Sequence, residues 1–217
     1  MVSIIKLICG LALIGVTMLI PQSLPAHPHV FLDTQVKFEF GEKGLEGFWV
    51  EWLFDEIFTA AIKMDFDSDY NNAFSESEIK ELEKGAFSNL INYDYFTYIT
   101  IEDKTHPVRE VNSFHAELRN NRLVYRFFVP YQVDADKKSR TLRVGVYDKS
   151  FYCDIAFQKR QPVQLKGGEP FKISHKIQQD EDHIISYDNS YQTATREGAI
   201  YSGVTNPFEI FLSFRRK

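Results

Sequence analysis

The chain has 217 residues, a formal net charge of −5, and 44% hydrophobic content of which aromatic side chains make up a large share. Such a composition fills a real core, and 19 Phe with 11 Tyr point toward β structure. The acidic balance, with no basic stripe beyond the short tail Arg215, Arg216, Lys217, excludes nucleic acid as a partner.

Residues 1–26 have the pattern of a secretory signal. Lys6 supplies a positive start, residues 7–20 are an uncharged apolar run, Pro21 ends it, and Ala26 offers a small residue for cleavage. The run is short for a spanning helix, which needs about 20 apolar residues. Export to the periplasm is the expected location, with residues 27–217 as a single mature domain. Cutting after Ala26 makes His27 the new terminus, ahead of Pro28 and His29. An α-amine and imidazole on one residue, plus an imidazole two residues on, form a chelate suited to Ni²⁺, Co²⁺, Zn²⁺ or Cu²⁺. Pro28 has no N–H, so the mode that deprotonates the backbone at the second residue is closed. With Cys9 in the leader, Cys153 is left alone and no intramolecular disulfide is available.

Residues 30–40 alternate, with Val30, Leu32, Thr34, Val36, Phe38 and Phe40 on one face, which predicts a strand. Residues 41–44 turn, and residues 47–53 return as its hairpin partner. Residues 51–66 then carry Leu53, Ile57, Ala61 and Met64 near helical period, and residues 75–90 carry Ile79, Leu82, Ala86 and Leu90. Between these helices, residues 67–78 hold Asp67, Asp69 and Asn71 at positions one, three and five. Ala73 comes at seven, Ser75 at nine and Glu78 at twelve. That is the ligand spacing of an EF-hand loop, in which position seven gives its carbonyl and the last Glu binds through both oxygens. Asn72 stands where Gly is expected, and Asn is the side chain that best tolerates the positive φ required there. A register starting at Asp65 and closing on Glu76 puts Asn72 where an apolar residue belongs, which favours the first register. A Ca²⁺ ion is the expected occupant, and Ser75 with Glu78 forms a candidate capping box.

Beyond the loop, residues 93–101 suggest a strand or mixed segment. Residues 111–118 and 123–129 predict a hairpin turned at Asn120 and Asn121, and residues 141–147 and 151–157 predict another around Asp148 and Lys149. Residues 171–177 predict an edge strand, residues 186–203 a loop, and residues 208–214 a last strand. The sum is an α+β protein: an antiparallel, sandwich-like scaffold of seven or eight strands, with an EF-hand-like helix–loop–helix inserted over residues 51–92. The cluster Asp180, Glu181, Asp182, His183 fits a solvated acidic turn. His106 and His115 are isolated, and Asp33 and Asp55 are candidate carboxylates to complete the His27/His29 site. There is no Gly-x-Ser-x-Gly elbow, His-Glu-x-x-His, phosphate loop or paired-cysteine motif, so no enzyme activity is expected.

Several motifs carry a family likeness. They are His27 to Phe31, Trp52 to Glu56, the acidic loop ending at Glu78, Asn92 to Phe96, and Val146, Tyr147, Asp148 with Phe151 and Tyr152. Over about residues 27–157 the chain resembles a family of bacterial proteins labelled as a periplasmic component of an ABC-type transport system. Its loop commonly has Gly where Asn72 stands. Relatives are often encoded near nickel/cobalt-type or zinc transporters, so the resemblance implies periplasmic metal handling. The mature chain is small for a two-lobed substrate-binding protein of an importer, and its strand pattern is not theirs. The expected function is a metal-binding accessory protein of a transition-metal transport system. The alternative is a non-enzymatic adaptor docking an inner-membrane transporter, with Ca²⁺ only structural.

Overall fold

Strict alternation builds the centre of the molecule. In β1 (Val30–Phe40) the residues at every second position are buried, and in β2 (Gly44–Phe54) Phe48, Val50, Trp52 and Phe54 face the same interior. The computed structural model describes residues 28–179, 181, 184–188 and 202–217. The predicted leader, His27, and Asp180, Asp182 and His183 of the acidic cluster lie outside them.

The first sheet runs β5 (Asn112–Arg119), β6 (Arg122–Asp134), β2, β1, β8 (Cys153–Phe157), with β9 (Val163–Lys166) also pairing with β1. The second runs β10 (Phe171–Gln179), β13 (Phe208–Arg216), β7 (Arg140–Val146), β3 (Thr97–Ile101), β4 (Lys104–Pro107). A separate pair joins β11 (Ile185–Asp188) to β12 (Ser202–Thr205), within the stretch expected to be loop. The two large sheets share one core. Val36, Phe38 and Val50 of the first belong to the same buried cluster as Val144, Leu212 and Phe214 of the second, and the Phe40 and Phe214 rings meet at 5.2 Å. This is a sandwich-like arrangement.

The expected α+β class is corrected. Strand far outweighs helix among the described residues, so the protein is mostly β. The EF-hand-like insert over residues 51–92 is not shown. Residues 51–54 complete β2, where Trp52 pairs with Thr34 on one side and Tyr125 on the other. Two-residue alternation prevailed there because strands on both sides satisfy the backbone. After β2 the chain forms α1 (Glu56–Phe66), α2 (Glu76–Gly85) and a 3₁₀ segment (Phe87–Phe96) broken by non-helical Tyr93, Asp94 and Tyr95. The second predicted helix therefore ends at Gly85, short of Leu90.

Two pairings also differ from expectation. Residues 141–147 and 151–157 do not form a hairpin, because β7 lies in the second sheet and β8 in the first. The Asp148 carboxylate turns the chain between them, accepting the Ser150 N–H at 2.8 Å and the Cys153 N–H at 2.9 Å. Moreover, β8 and β9 run parallel to β1, so the scaffold is not wholly antiparallel. The hairpin at Asn120 and Asn121 forms as expected, the two residues having φ of 52° and 60°.

Asp55 ties the helical part to the sheet. Its Oδ1 accepts the Ile57 and Phe58 N–H groups, each at 2.8 Å, capping α1, and its Oδ2 accepts the Phe31 N–H of β1 at 2.8 Å. Thr59 of α1 reinforces this by accepting the Leu123 N–H at 3.0 Å. Replacing Asp55 with Ala removes the cap and orphans the strand donor. We expect a loss of about 2 kcal/mol in urea unfolding, with the Asn variant recovering most of it.

Candidate functional site

The acidic loop folds between α1 and α2. Ser75 caps α2 and Glu78 returns the bond to the Ser75 N–H, the capping box expected from sequence. Asn72 has φ of 62°, the left-handed conformation its position demands, and Tyr70 has φ of 56°. These bends bring Asp67, Asp69 and Glu78 together, with one carboxylate oxygen from each lying within 4.8 Å of the others. Two oxygens bound to one calcium ion at 2.3–2.6 Å stand at most about 5 Å apart, so the three fit a single ion of that size. Asp65 and Glu76 are exposed and stand outside this group.

Asp67 is only 2% exposed and Glu78 4%, whereas Asp69 is open to solvent. Among the described residues no Lys or Arg pairs with any of them; Lys63 instead donates to Asn72 Oδ1 at 2.5 Å. The carboxylates are held by neutral donors. The Asn71 and Asn72 N–H groups reach the two Asp67 oxygens, each at 3.1 Å, and the Asn71 side chain donates to Asp69 at 2.7 Å. Ser68 gives both its N–H and its hydroxyl to Glu78 Oε1 at 2.7 Å, and Ser75 does the same to Oε2 at 2.9 and 2.8 Å. The Ser68 hydroxyl first, then the Ser75 N–H and hydroxyl and the Ser68 N–H, lower the Glu78 pKa to about 2. The other predicted ligands are turned inward on the loop: Asn71 Oδ1 accepts the Ala73 N–H at 2.7 Å, and the Ser75 hydroxyl points at Glu78.

The predicted nitrogen site has less shape. His29 is exposed, and its ring lies 5.0 Å from that of Tyr152. Among the described residues it joins no group of three metal-binding side chains. The candidate carboxylates Asp33 and Asp55 have other partners. Asp33 lies 3.8 Å from Arg122, and both Asp55 oxygens serve backbone donors. His106 and His115 are exposed on β4 and β5. Cys153 is a free, buried thiol, and burial pushes its pKa up.

One feature escaped sequence reasoning. A cavity of about 810 Å³ opens beside α1 and the 3₁₀ segment, lined by Trp52, Phe58, Phe96, Tyr125 and Tyr152 among others. Its walls come from residues 30 to 153, and no local pattern announces such an assembly.

Fold and site together define a sandwich-like β protein with an acidic, cation-sized cluster between two short helices. Residues 12–201 match the family described as protein of unknown function (DUF1007), and the chain belongs to that family. It is 39% identical over 103 residues to the uncharacterized 15.5 kDa protein in the trpE 3' region of Spirochaeta aurantia, covering 48% of this chain and 73% of that one. It is 24% identical over 142 residues to an uncharacterized protein of Haemophilus influenzae, covering 64% of this chain and 67% of that one. Among the described residues no helix is long and apolar enough to cross a membrane.

Proposed function

We propose that the protein is an exported metal-handling protein that holds a hard divalent cation, Ca²⁺ by preference, at Asp67, Asp69 and Glu78. The observation that carries this reading is the approach of three carboxylates to within 4.8 Å, two of them on buried residues, without a basic partner among the described residues. Like charges so close repel, and a divalent ion relieves that repulsion while supplying the coordination that six to eight oxygens can share. The wider role is an accessory to a transition-metal transporter. In it the pair His27 and His29 carries a nickel, cobalt, zinc or copper ion as cargo, and the acidic site braces the helical end.

A second reading is favoured by the outer face of α1. Ile57 and Met64, two turns apart, are 83% and 74% exposed, and Tyr70 on the loop is 77% exposed. Such a row suits docking to an inner-membrane partner, with the cation serving only to hold the helices in place. Calorimetric titration of chelator-treated protein tests the shared core of both readings. We expect saturable binding of one Ca²⁺ per chain, weaker binding of Mg²⁺, and loss of binding in Asp67→Asn. No heat of binding with millimolar Ca²⁺ would remove the site. Ni²⁺ binding that survives His27→Ala with His29→Ala would remove the cargo role and leave the docking one.

A further inference from the structure

We propose that β10 takes up an extended acidic segment of another protein as an added strand. β10 ends the second sheet, and among the described residues no strand pairs with its far side. Two hydrogen bonds fix which groups that side presents. The Lys217 N–H reaches the Pro170 carbonyl at 3.1 Å, and the Phe171 N–H turns away to the Gly168 carbonyl at 3.0 Å. Bonding alternates along an antiparallel ladder, so Lys172, Ser174, Lys176 and Gln178 bond to β13. Ile173, His175 and Ile177 then aim both N–H and C=O at the open side.

The other sheet ends are blunted. β4 has four residues and ends on Pro107, and the register of β5 is broken between Asn112 and His115. β8 and β9 have five and four residues. β10 holds its register over nine residues and contains no Pro. A long, regular edge is the template that strand addition needs.

The two faces of β10 select the guest. On the inner face Phe171 is buried, and Ile173 and Ile177 are half-buried against the core. A hollow of about 540 Å³ is lined by Leu165 and Ile173, and another of about 480 Å³ by Ile155, Phe157 and Ile177. These accept apolar side chains from an added strand. On the outer face Lys172 and Lys176 are exposed, with Arg215 opposite Lys172 and Phe211 opposite Lys176. Lys176 Nζ and the Arg143 guanidinium lie 5.3 and 5.7 Å from the Phe211 ring. Arg143 is offset by Glu209 at 3.7 Å and Asp103 at 3.9 Å. Among the described residues no carboxylate pairs with Lys172, Lys176 or Arg215. Three uncompensated cations on one face stand out in a chain of net charge −5. Side chains of a strand alternate between faces, so the fitting guest is apolar inward and acidic outward. A second copy of β10 does not fit: antiparallel pairing about Ser174 sets Lys172 against Lys176. The lysines thus bar self-pairing and favour an acidic partner.

The probe is a labelled peptide of alternating Glu and Val, as long as β10, titrated with the full chain and read by fluorescence anisotropy. We expect saturable binding at one site per chain, at least about tenfold tighter than that of a matched Lys/Val peptide at low salt. Two further peptides are N-methylated on all Glu or on all Val nitrogens. One of them should lose binding, because main-chain bonds carry the contact. His175→Pro deletes an outward N–H and leaves the ladder to β13 intact, so it should weaken binding at least about tenfold. Lys172→Glu combined with Lys176→Glu should invert the preference toward Lys/Val, and it serves if the proline variant fails to fold. No binding of the Glu/Val peptide at millimolar concentration would overturn the site. Binding that survives in both methylated peptides would overturn strand addition. An unchanged preference in the double variant would overturn the acidic class. A dimer in sedimentation that His175→Pro dissolves would make a second copy the occupant and overturn the foreign one.

Discussion

Trp52→Ala should destabilise the protein by about 3–5 kcal/mol, measured by urea unfolding followed by circular dichroism. Trp52 is 0% exposed, packed between its own sheet and the 3₁₀ segment. On its own face its ring meets Phe127 edge-on at 4.9 Å, Phe54 at 6.1 Å, and Phe96 of the 3₁₀ segment at 5.9 Å. Truncation removes the aromatic area and enlarges a space that already borders the cavity, so the neighbours collapse only in part. One term opposes this. The indole N–H is buried without an acceptor, so deleting it relieves an unmet donor. Trp52→Phe therefore separates packing from polarity. It keeps a ring in place and drops the donor, and its cost should stay below about 1.5 kcal/mol. A Phe variant as unstable as the Ala variant would mean that the donor is satisfied by a partner in solution. Against a total stability of about 5–15 kcal/mol, the Ala change alone takes a large share.

The legible parts of this protein are those written within one element or one turn. β1 and β2 are readable because buried side chains recur at every second position from Val30 to Phe54. Asn120 and Asn121 announce their turn because few other side chains adopt φ above zero cheaply. The cluster Asp67, Asp69, Glu78 is legible for the same reason: its three carboxylates fall within twelve residues, and Asn72 supplies a bend. What fails is non-local. Trp52, Leu53 and Phe54 sit at spacings from Ile57 and Phe58 that imitate a helix, and only the flanking strands β1 and β6 make them extended. Nothing in residues 141–157 says that the chain leaves one sheet for the other at Asp148. β4 is exposed along its length, so it lacks the apolar alternation that marks a strand. β11 and β12 resemble loop in sequence because Ile185 is the one residue there whose burial marks a core position among those described. The cavity collects residues far apart in sequence, and its chemistry exists only after folding.

Glu78→Gln should abolish the stabilisation that Ca²⁺ confers and also flatten the acid limb of stability in metal-free protein. At a hundredfold excess of Ca²⁺ over Kd, a ligand that binds only the native state raises the unfolding midpoint by roughly 5–10 °C for a chain of this size. Gln keeps the length of Glu, but its one oxygen can accept from only one of Ser68 and Ser75 and brings a single neutral ligand where the ion needs a charged pair. The midpoint of the variant should therefore stay nearly level as Ca²⁺ is added. The acid effect has a definite sign. Hydrogen bonds from Ser68 and Ser75 depress the Glu78 pKa from 4.5 to about 2 in the folded state. A carboxyl whose pKa is lowered by folding lends stability that is whole above about pH 4.5 and drains away as pH falls toward 2. Chelated wild-type protein should lose stability through that window, and the Gln variant, with nothing to protonate there, should lose less. Curves that run parallel from pH 5 to 2.5 would mean that the serine hydroxyls do not hold the charged carboxylate in solution. A calcium response that survives in the variant would place the ion elsewhere on the molecule.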